Sequence, residues 1–430
     1  MYNSQTLKNA LANGEFSNAF TYLYNKKSDE MPERYSKAVD GFVEVFGDSD
    51  GMRVFSAPGR TEVGGNHTDH QHGCVICAGI NLDIIAVARK NDEGIIRIKS
   101  EGYPMDEINL NELKPIESEY ERASALIRGV AARFKELGYK IGGFDAYTTS
   151  NVLKGSGLSS SAAFEIMVCT LLNGLYNDGK MGPVEAAILS QYAENVFFNK
   201  PCGLMDQMAC SVSGFVGIDF KDTKNPVVEK VDFDFAKFGH SLCIVDTAGN
   251  HADLTNEYAA VPSEMKSVAA YFGKEVLREV DEDEFYAEIP NLRSKVSDRA
   301  ILRAIHFYAD SKRAVELKNL LKANDFQGFL NLVKESGRSS LAYLQNVYAS
   351  SAPQEQGLTL ALAISERVLK DRGAYRVHGG GFAGTIQAYV PDDMLDTYKT
   401  EIEKIFSENH CHILSVRPVG GVEVTTQLGK

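Results

Sequence analysis

Residues 155–162 read GSGLSSSA and stand directly before a segment in which Phe164, Met167, Val168 and Leu171 recur at helical spacing. Glycines let the backbone approach an anion closely, and the free amides at a helix start point toward it. Serine hydroxyls add donors or a magnesium ligand. The stretch predicts a phosphate-binding loop leading into a helix, while a serine-capped helix after a glycine turn is the simpler alternative. This stretch is neither a P-loop pattern nor a dinucleotide fingerprint.

A second polar, glycine-rich stretch, residues 57–73, reads APGRTEVGGNHTDHQHG and follows a predicted strand. Its density of donors and acceptors suits a polyhydroxylated ligand, whose hydroxyls each need a partner once they leave water. Arg60 could stabilise charge that develops on a phosphoryl group. A competing interpretation joins three histidines and two cysteines in a zinc site: His67, His70, His72, Cys74 and Cys77. It is disfavoured because the two cysteines fall on opposite faces of a strand.

Two further stretches carry candidate functional groups, CGLMDQ at residues 202–207 and GGGFAG at residues 379–384. Asp206 is flanked by apolar residues, and burial would raise its pKa toward that of a useful base. Glu194 precedes it by twelve positions. Three successive glycines at 379–381 allow a close backbone approach, although such a run alone is most often a tight loop.

The composition limits the possible partners and the compartment. The chain has 430 residues and a net charge of −13, and no basic run offers a path for nucleic acid. Its seven cysteines are an odd, sparse number and read as free, mostly buried thiols. No long apolar stretch and no signal-like segment is evident, so we expect a cytoplasmic protein without a membrane anchor.

The hydrophobic pattern divides the chain into three parts. Residues 1–50 read as a helical extension, residues 51–235 as a sheet-forming domain, and residues 236–430 as a second domain with long amphipathic helices over 301–323 and 354–372. Strands are predicted at 53–57, 80–88 and 95–99, then at 143–149, 215–220, 240–246, 385–390 and 413–418. Helical and strand segments do not alternate regularly, which favours an α+β fold.

The four stretches, in this order, resemble the galactokinase branch of the GHMP kinases. Residues 57–73 are similar to the sugar signature of that branch, residues 155–162 match its GxGLSSSA motif, and residues 379–384 match its GGGFGG motif with Ala383 replacing one glycine. The resemblance implies an N-terminal domain like a ribosomal-protein domain, a C-terminal α/β sandwich and an active site between them. It also implies a monomeric sugar 1-kinase that uses ATP and Mg²⁺.

The resemblance also assigns roles to individual residues. It implies that Asp206 is the catalytic base, Arg60 the transition-state stabiliser, and Ser161 and Glu194 the magnesium ligands. Residues implied in ATP binding are Ser100, Gly155, Ser156, Gly157, Leu158, Ser159, Ser160 and Ser161. Residues implied in sugar binding are Asn66, His67, Thr68, Asp69, Gly203 and Tyr258.

Two departures from the signature bear on the choice of sugar. Asn66 stands where the family has a glutamate that resembles a contact to the sugar's 6-hydroxyl, and Glu62 stands where it has an asparagine. A neutral amide would accept a carboxylate at C6, so a galacturonate kinase is the alternative to a galactokinase. A sugar sensor without catalysis is disfavoured, because Arg60, Glu194 and Asp206 are all present.

Overall fold

The computed structural model describes residues 2–152, 158–200, 202–249 and 254–428. Its helices are α1 (Ser4–Ala12), α2 (Ser17–Tyr24), α3 (Met31–Phe46), α4 (Ala123–Glu136), α5 (Ser160–Asn177), α6 (Pro183–Tyr192), α7 (Met205–Val212), α8 (Thr255–Tyr271), α9 (Glu282–Leu292), α10 (Asp298–Lys322), α11 (Phe326–Ser339), α12 (Gly357–Leu369) and α13 (Leu395–Phe406). Its strands are β1 (Arg53–Gly64), β2 (Cys74–Lys90), β3 (Ile95–Ser100), β4 (Met105–Asn109), β5 (Phe144–Ser150), β6 (Phe215–Asp219), β7 (Val227–Val231), β8 (His240–Asp246), β9 (Ala374–Val377), β10 (Thr385–Pro391), β11 (Cys411–Leu414) and β12 (Val422–Glu423).

The larger sheet has the strand order β12-β1-β2-β5-β3-β4, with β6 and β7 extending from the first half of β2. Strand β2 is apolar on both faces, and its side chains alternate between two layers. Ile84 and Ala86 pack under α4 and α5, whereas Ile85 and Val87 pack under the N-terminal helices. The predicted extension, residues 1–50, thus contains α1, α2 and α3 and covers the second face of this sheet.

The smaller sheet is antiparallel, in the order β11-β8-β10-β9. Helices α12 and α13 cover one face, and α11 covers the other, where the rings of Phe329 and Tyr389 lie 5.2 Å apart. Helices α8, α9 and the first half of α10 share a further apolar cluster, whereas the second half of α10 packs into the core of the first sheet. The predicted α+β class is confirmed, and among the described residues no helix is long and apolar enough to cross a membrane.

The C-terminal segment departs from the predicted division of the chain. Strands β7 and β8 lie in different sheets, on either side of the predicted boundary at residues 235 and 236. However, Val422 and Glu423 pair with Ser56 and Phe55 of β1. The predicted second domain, residues 236–430, therefore includes a strand of the first sheet, because hydrogen bonding to β1 leaves no trace in local sequence patterns.

Strand β1 is longer than its apolar pattern predicted. The strand was expected to end at residue 57 with a loop following, but β1 continues to Gly64 opposite β2. Its register shifts between Pro58 and Arg60 and again between Glu62 and Gly64. Such irregularities bend a strand and redirect its side chains. The signature residues up to Gly64, including Arg60 and Glu62, are thereby held in the sheet, whereas Asn66 to Asp69 follow it in a loop and a short 3-10 helix.

Candidate active site

An arginine–aspartate pair lies where β1 passes the first turn of α7. Arg60 Nε donates to Asp206 Oδ1 over 2.7 Å, and Arg60 Nη2 donates to Asp206 Oδ2 over 2.9 Å. Two parallel hydrogen bonds of this kind fix both groups in orientation. The Arg60 side chain is 7% exposed and the Asp206 side chain 32%, so solvent reaches the pair at the aspartate. The structure thus brings together the two predicted catalytic residues.

The charge state of Asp206 differs from the expectation of a raised pKa. Burial raises the pKa of Asp206, but the Arg60 guanidinium and a hydrogen bond from the Ser159 hydroxyl outweigh it, so the net pKa lies below the ordinary value. The prediction was wrong because a cation in direct contact stabilises the carboxylate more than desolvation destabilises it. Asp206 is an ionised hydrogen-bond acceptor at neutral pH.

A cavity of about 690 Å³ lies beside the start of α5. Its wall includes three of the predicted nucleotide contacts, Ser100, Ser160 and Ser161, together with Tyr103. Thr148 donates a hydrogen bond to the Ser100 hydroxyl over 2.9 Å. The volume falls within the range of small-molecule pockets, and the free amides of a helix start favour an anion next to it.

The other predicted phosphate-loop residues are placed differently. Leu158 is fully buried, and its carbonyl accepts a hydrogen bond from the Arg60 amide over 3.2 Å. Ser159 points to Asp206, which ties the start of α5 to the arginine–aspartate pair. Gly155, Ser156 and Gly157 lie outside the described residues.

Two buried carboxylates flank one amide close to the site. Gln207 Nε2 donates to Glu194 Oε2 over 2.8 Å and to Glu165 Oε2 over 3.1 Å. Glu165 is fully buried, and its Oε1 has no hydrogen-bond partner among the described residues. Burial, and then the charge of Glu194, raise the pKa of Glu165 well above its ordinary value. Glu165 was not among the predicted site residues, although it follows Ser161 by four positions and so shares a helix face with it.

Asp69 and Gly203 come together near Asp206. A Cβ on Gly203 would overlap Asp69 Oδ2, so only glycine permits this approach. Burial, and then the charge of Asp206, raise the pKa of Asp69 to about 6. Two predicted sugar contacts thus lie next to the predicted base, and Asp69 remains partly exposed.

Two further predicted sugar contacts, His67 and Tyr258, are partly exposed and contact the glycine loop, residues 379–384. His67 Nε2 lies 2.9 Å from the carbonyl oxygen of Gly380, and burial lowers the pKa of His67 to about 4. Tyr258 donates to the carbonyl of Gly381 over 2.9 Å. A Cβ on Gly380 would lie 2.7 Å from the Tyr258 ring. The triple glycine was predicted to allow a close approach to its backbone, and here the side chains of His67 and Tyr258 make that approach.

Two predicted sugar contacts, Asn66 and Thr68, are fully buried. Asn66 Nδ2 donates to Glu62 Oε1 over 2.9 Å and to the carbonyl of Gly379 over 2.8 Å, while its Oδ1 accepts from Asn346 over 2.8 Å. The Thr68 hydroxyl lies within hydrogen-bond distance of the backbone carbonyls of Gly65 and Cys74. In this structure both side chains bind the protein itself and hold the loop, and a direct contact of either with a sugar stays a prediction.

Glu62 and Arg376 form a buried ion pair between the two sheets. Arg376 Nη2 lies 3.0 Å from Glu62 Oε1, and both side chains are almost wholly buried, at 0% and 5% exposure. Burial raises the pKa of Glu62 to about 7 even though Arg376 opposes it. The carboxylate at this position therefore binds the protein itself.

The zinc interpretation of the histidines and cysteines is not supported. Cys74 and Cys77 belong to different apolar clusters on opposite sides of β2, and the cysteines are free thiols. Within the described ranges no group of three or more His, Cys, Asp or Glu side chains is arranged to hold a metal ion. A metal here would depend on oxygen ligands that a substrate completes.

Comparison with known proteins gives consistent matches over most of the chain. The family models for the galactokinase galactose-binding signature and the GHMP kinase N-terminal domain match residues 40–90 and 125–214. A Streptomyces coelicolor galactokinase is 30% identical over 366 residues, which cover 85% of this chain and 91% of the relative. An Actinobacillus pleuropneumoniae galactokinase is 28% identical, covering 87% and 93%.

Solved structures share the fold. Lactococcus lactis galactokinase complexed with galactose matches with a TM-score of 0.77 at 22% identity, over 91% of this chain and 100% of that one. Methanococcus jannaschii mevalonate kinase matches with a TM-score of 0.58 at 16% identity, over 85% and 99%.

Proposed function

The chain belongs to the galactokinase family of the GHMP kinases, and on that basis we propose that it transfers the γ-phosphoryl group of ATP to the anomeric hydroxyl of galactose. The Arg60–Asp206 pair carries the proposal. Asp206 pairs with Arg60 and accepts a hydrogen bond from Ser159 at the start of α5, and Asp69 beside Gly203 lies near enough for the charge of Asp206 to raise its pKa. A phosphate donor at the start of α5 and a hydroxyl acceptor at Asp69 would both lie close to the pair.

In the proposed reaction, the anomeric oxygen forms a bond to the γ-phosphorus while the bond between that phosphorus and the β,γ-bridging oxygen breaks. The hydroxyl proton passes to Asp206, and ADP leaves with the bridging oxygen. The low pKa of Asp206 keeps it unprotonated and ready to accept. Such a weak base suits a loose transition state, in which positioning and charge stabilisation matter more than early proton removal. Arg60 offsets charge on the phosphoryl oxygens.

ATP and magnesium fit the groups around α5. The cavity of about 690 Å³ has room for a nucleoside, and Ser160 and Ser161 line its wall. Ser161 and Glu194 carry hydroxyl and carboxylate oxygens, the ligand types that magnesium prefers, and the ion would replace Lys200 or Gln207 at Glu194. Oε1 of Glu165, which has no partner among the described residues, is a further buried oxygen in this group. Magnesium, when bound, supplies positive charge that neutralises the phosphate oxygens.

Galactose is the favoured acceptor over galacturonate. Asn66 replaces a glutamate of the family signature, but its amide does not face the ligand, because Asn66 is buried and hydrogen-bonded to the protein. Asn66 therefore gives no reason to prefer a sugar with a carboxylate at C6. The proposal also places the protein in the cytoplasm, where its free cysteines would stay reduced.

ADP release with ATP and magnesium tests the proposal, with galactose, galacturonate, talose and N-acetylgalactosamine compared as acceptors. We expect the highest kcat/KM with galactose. A higher kcat/KM with galacturonate would show that galacturonate is the substrate, and the proposed phosphoryl transfer would still stand. If the protein binds galactose and ATP but forms no ADP with any of these sugars, the proposed kinase activity is refuted and the sensor alternative is supported.

A further inference from the structure

A buried charged network connects the N-terminal helices to strand β2. Arg34 of α3 donates from Nη1 to Asp83 Oδ1 over 2.6 Å, and Tyr24 of α2 donates from its hydroxyl to Asp83 Oδ2 over 2.6 Å. The Asp83 carboxylate is 0% exposed, and the Arg34 side chain is 18% exposed. Arg417 and Ser56 also donate to Asp83 Oδ2 and complete the shell around the carboxylate.

The same aspartate holds the end of strand β5 through its backbone. The Asp83 amide donates to Asn151 Oδ1 over 2.7 Å, and the Asn151 amide donates to the Asp83 carbonyl over 3.1 Å. The Asp83 carbonyl also accepts a hydrogen bond from Arg34 Nη2 over 3.0 Å. Asn151 is thus fixed to Asp83 by two hydrogen bonds, one of which shares its acceptor with Arg34.

The neighbours of Asp83 and Asn151 form part of the wall of the 690 Å³ cavity. Ile84 follows Asp83, and Ser150 and Val152 flank Asn151, and all three side chains line the cavity. A shift of the contact between Asp83 and Asn151 would therefore move the wall on both strands. The Asp69–Gly203 contact belongs to other elements and would stay in place.

We propose that Arg34 and Tyr24 are positioning residues for ATP, acting through Asp83 and Asn151 on the wall of the nucleotide cavity. The inference rests on the proposed function, since it takes the cavity as the ATP site. The apolar faces of α1, α2 and α3 already attach these helices to the sheet through residues such as Leu7, Phe20 and Phe42. A buried ion pair such as Arg34–Asp83 adds little net stability but can hold its partners in one geometry. A positioning role would therefore explain why these charged residues are buried here.

Steady-state kinetics of Arg34→Gln test this role. The variant keeps Asp83 paired with Arg417 but removes both bonds from Arg34. We expect KM for ATP to rise about tenfold, with KM for galactose unchanged within a factor of about two, as for a displaced binding wall. Arg34→Lys, which can restore one bond, should recover part of the loss. Tyr24→Phe keeps the buried ring and should shift KM for ATP in the same direction by less.

Lys37→Gln is the matched control, because Lys37 lies on the same helix with a side chain 74% exposed and pairs with the exposed Glu33. It should match the unmodified protein in both KM values. The proposal is overturned if Arg34→Gln lowers the melting temperature but leaves KM for ATP unchanged, or if both KM values rise equally. If the unmodified protein does not release ADP, the proposed function fails, and the inference fails with it.

Discussion

Replacing Asp206 with asparagine tests the centre of the site. The change keeps the size of the side chain and removes its charge, so no carboxylate remains to accept the sugar's proton. A positioned base contributes on the order of 10² to 10⁴ in rate. We expect kcat to fall by about that factor, while KM for galactose and for ATP stays within about threefold, because the binding walls are unaffected.

The effect of this change on stability follows from the exposure of the pair. Removing one partner from a fully buried ion pair destabilises by about 3–5 kcal/mol. Asp206 is 32% exposed, and water can solvate Arg60 once the carboxylate is lost, so about 1–2 kcal/mol is expected here. In a chain of 430 residues this corresponds to a fall in Tm of a few degrees. The variant should therefore be folded and able to bind both substrates.

The assay is magnesium-dependent ADP release, with Tm recorded for each protein. Asp298→Asn is the control. Asp298 also lies in the first turn of a helix and accepts from Nε and Nη2 of an arginine, Arg293, over 2.9 and 3.0 Å, but its side chain is 64% exposed. The control should keep wild-type kcat. The reasoning is refuted if Asp206→Asn retains kcat within threefold of the unmodified protein.

Three further predictions concern the sugar side of the site. Gly203→Ala should raise KM for galactose on the order of tenfold by pushing Asp69 aside. Gly182→Ala, which has open space around the new methyl group, should leave this KM unchanged. A Gly203→Ala variant with the KM of the unmodified protein would contradict the prediction. Because the pKa of Asp69 is raised to about 6, kcat/KM for galactose should fall as the pH drops below that value, and a profile flat to about pH 4 would rule out this role. Asn66→Ala should lower the free energy of unfolding in urea by about 2–4 kcal/mol, because it leaves buried partners without bonds, and unchanged stability would disprove its structural role.

The sequence was sufficient for those features that depend on local pattern. Strand β8 was predicted at residues 240–246, where it lies, and helix α10 was predicted at 301–323 against an observed Asp298–Lys322. Periodic apolar residues and turn signals are local, so they can be read without tertiary information. The meeting of Arg60 with Asp206 was predictable only through the resemblance of two separate motifs.

The role of Asn66 could not be predicted in the same way. Its partners include Gly379 and Asn346, which are about 300 residues away in the chain, and no spacing rule brings them together. The pKa of Asp206 was wrongly predicted for a related reason. The apolar neighbours in sequence indicated burial, but the cation that controls the charge comes from another element.

Strand β12 makes completion of the first sheet depend on residues that are synthesised more than 350 positions after β1. Phe55 and Ser56 pair with Glu423 and Val422, and Arg53 forms an ion pair with Glu423. While the ribosome is still producing the preceding residues, β1 must wait with one edge unpaired, and such an edge can associate with other chains. Chaperone demand during translation should therefore depend on how quickly residues 422 and 423 pair with β1 once they have been synthesised, and a substitution that hinders this pairing should promote aggregation.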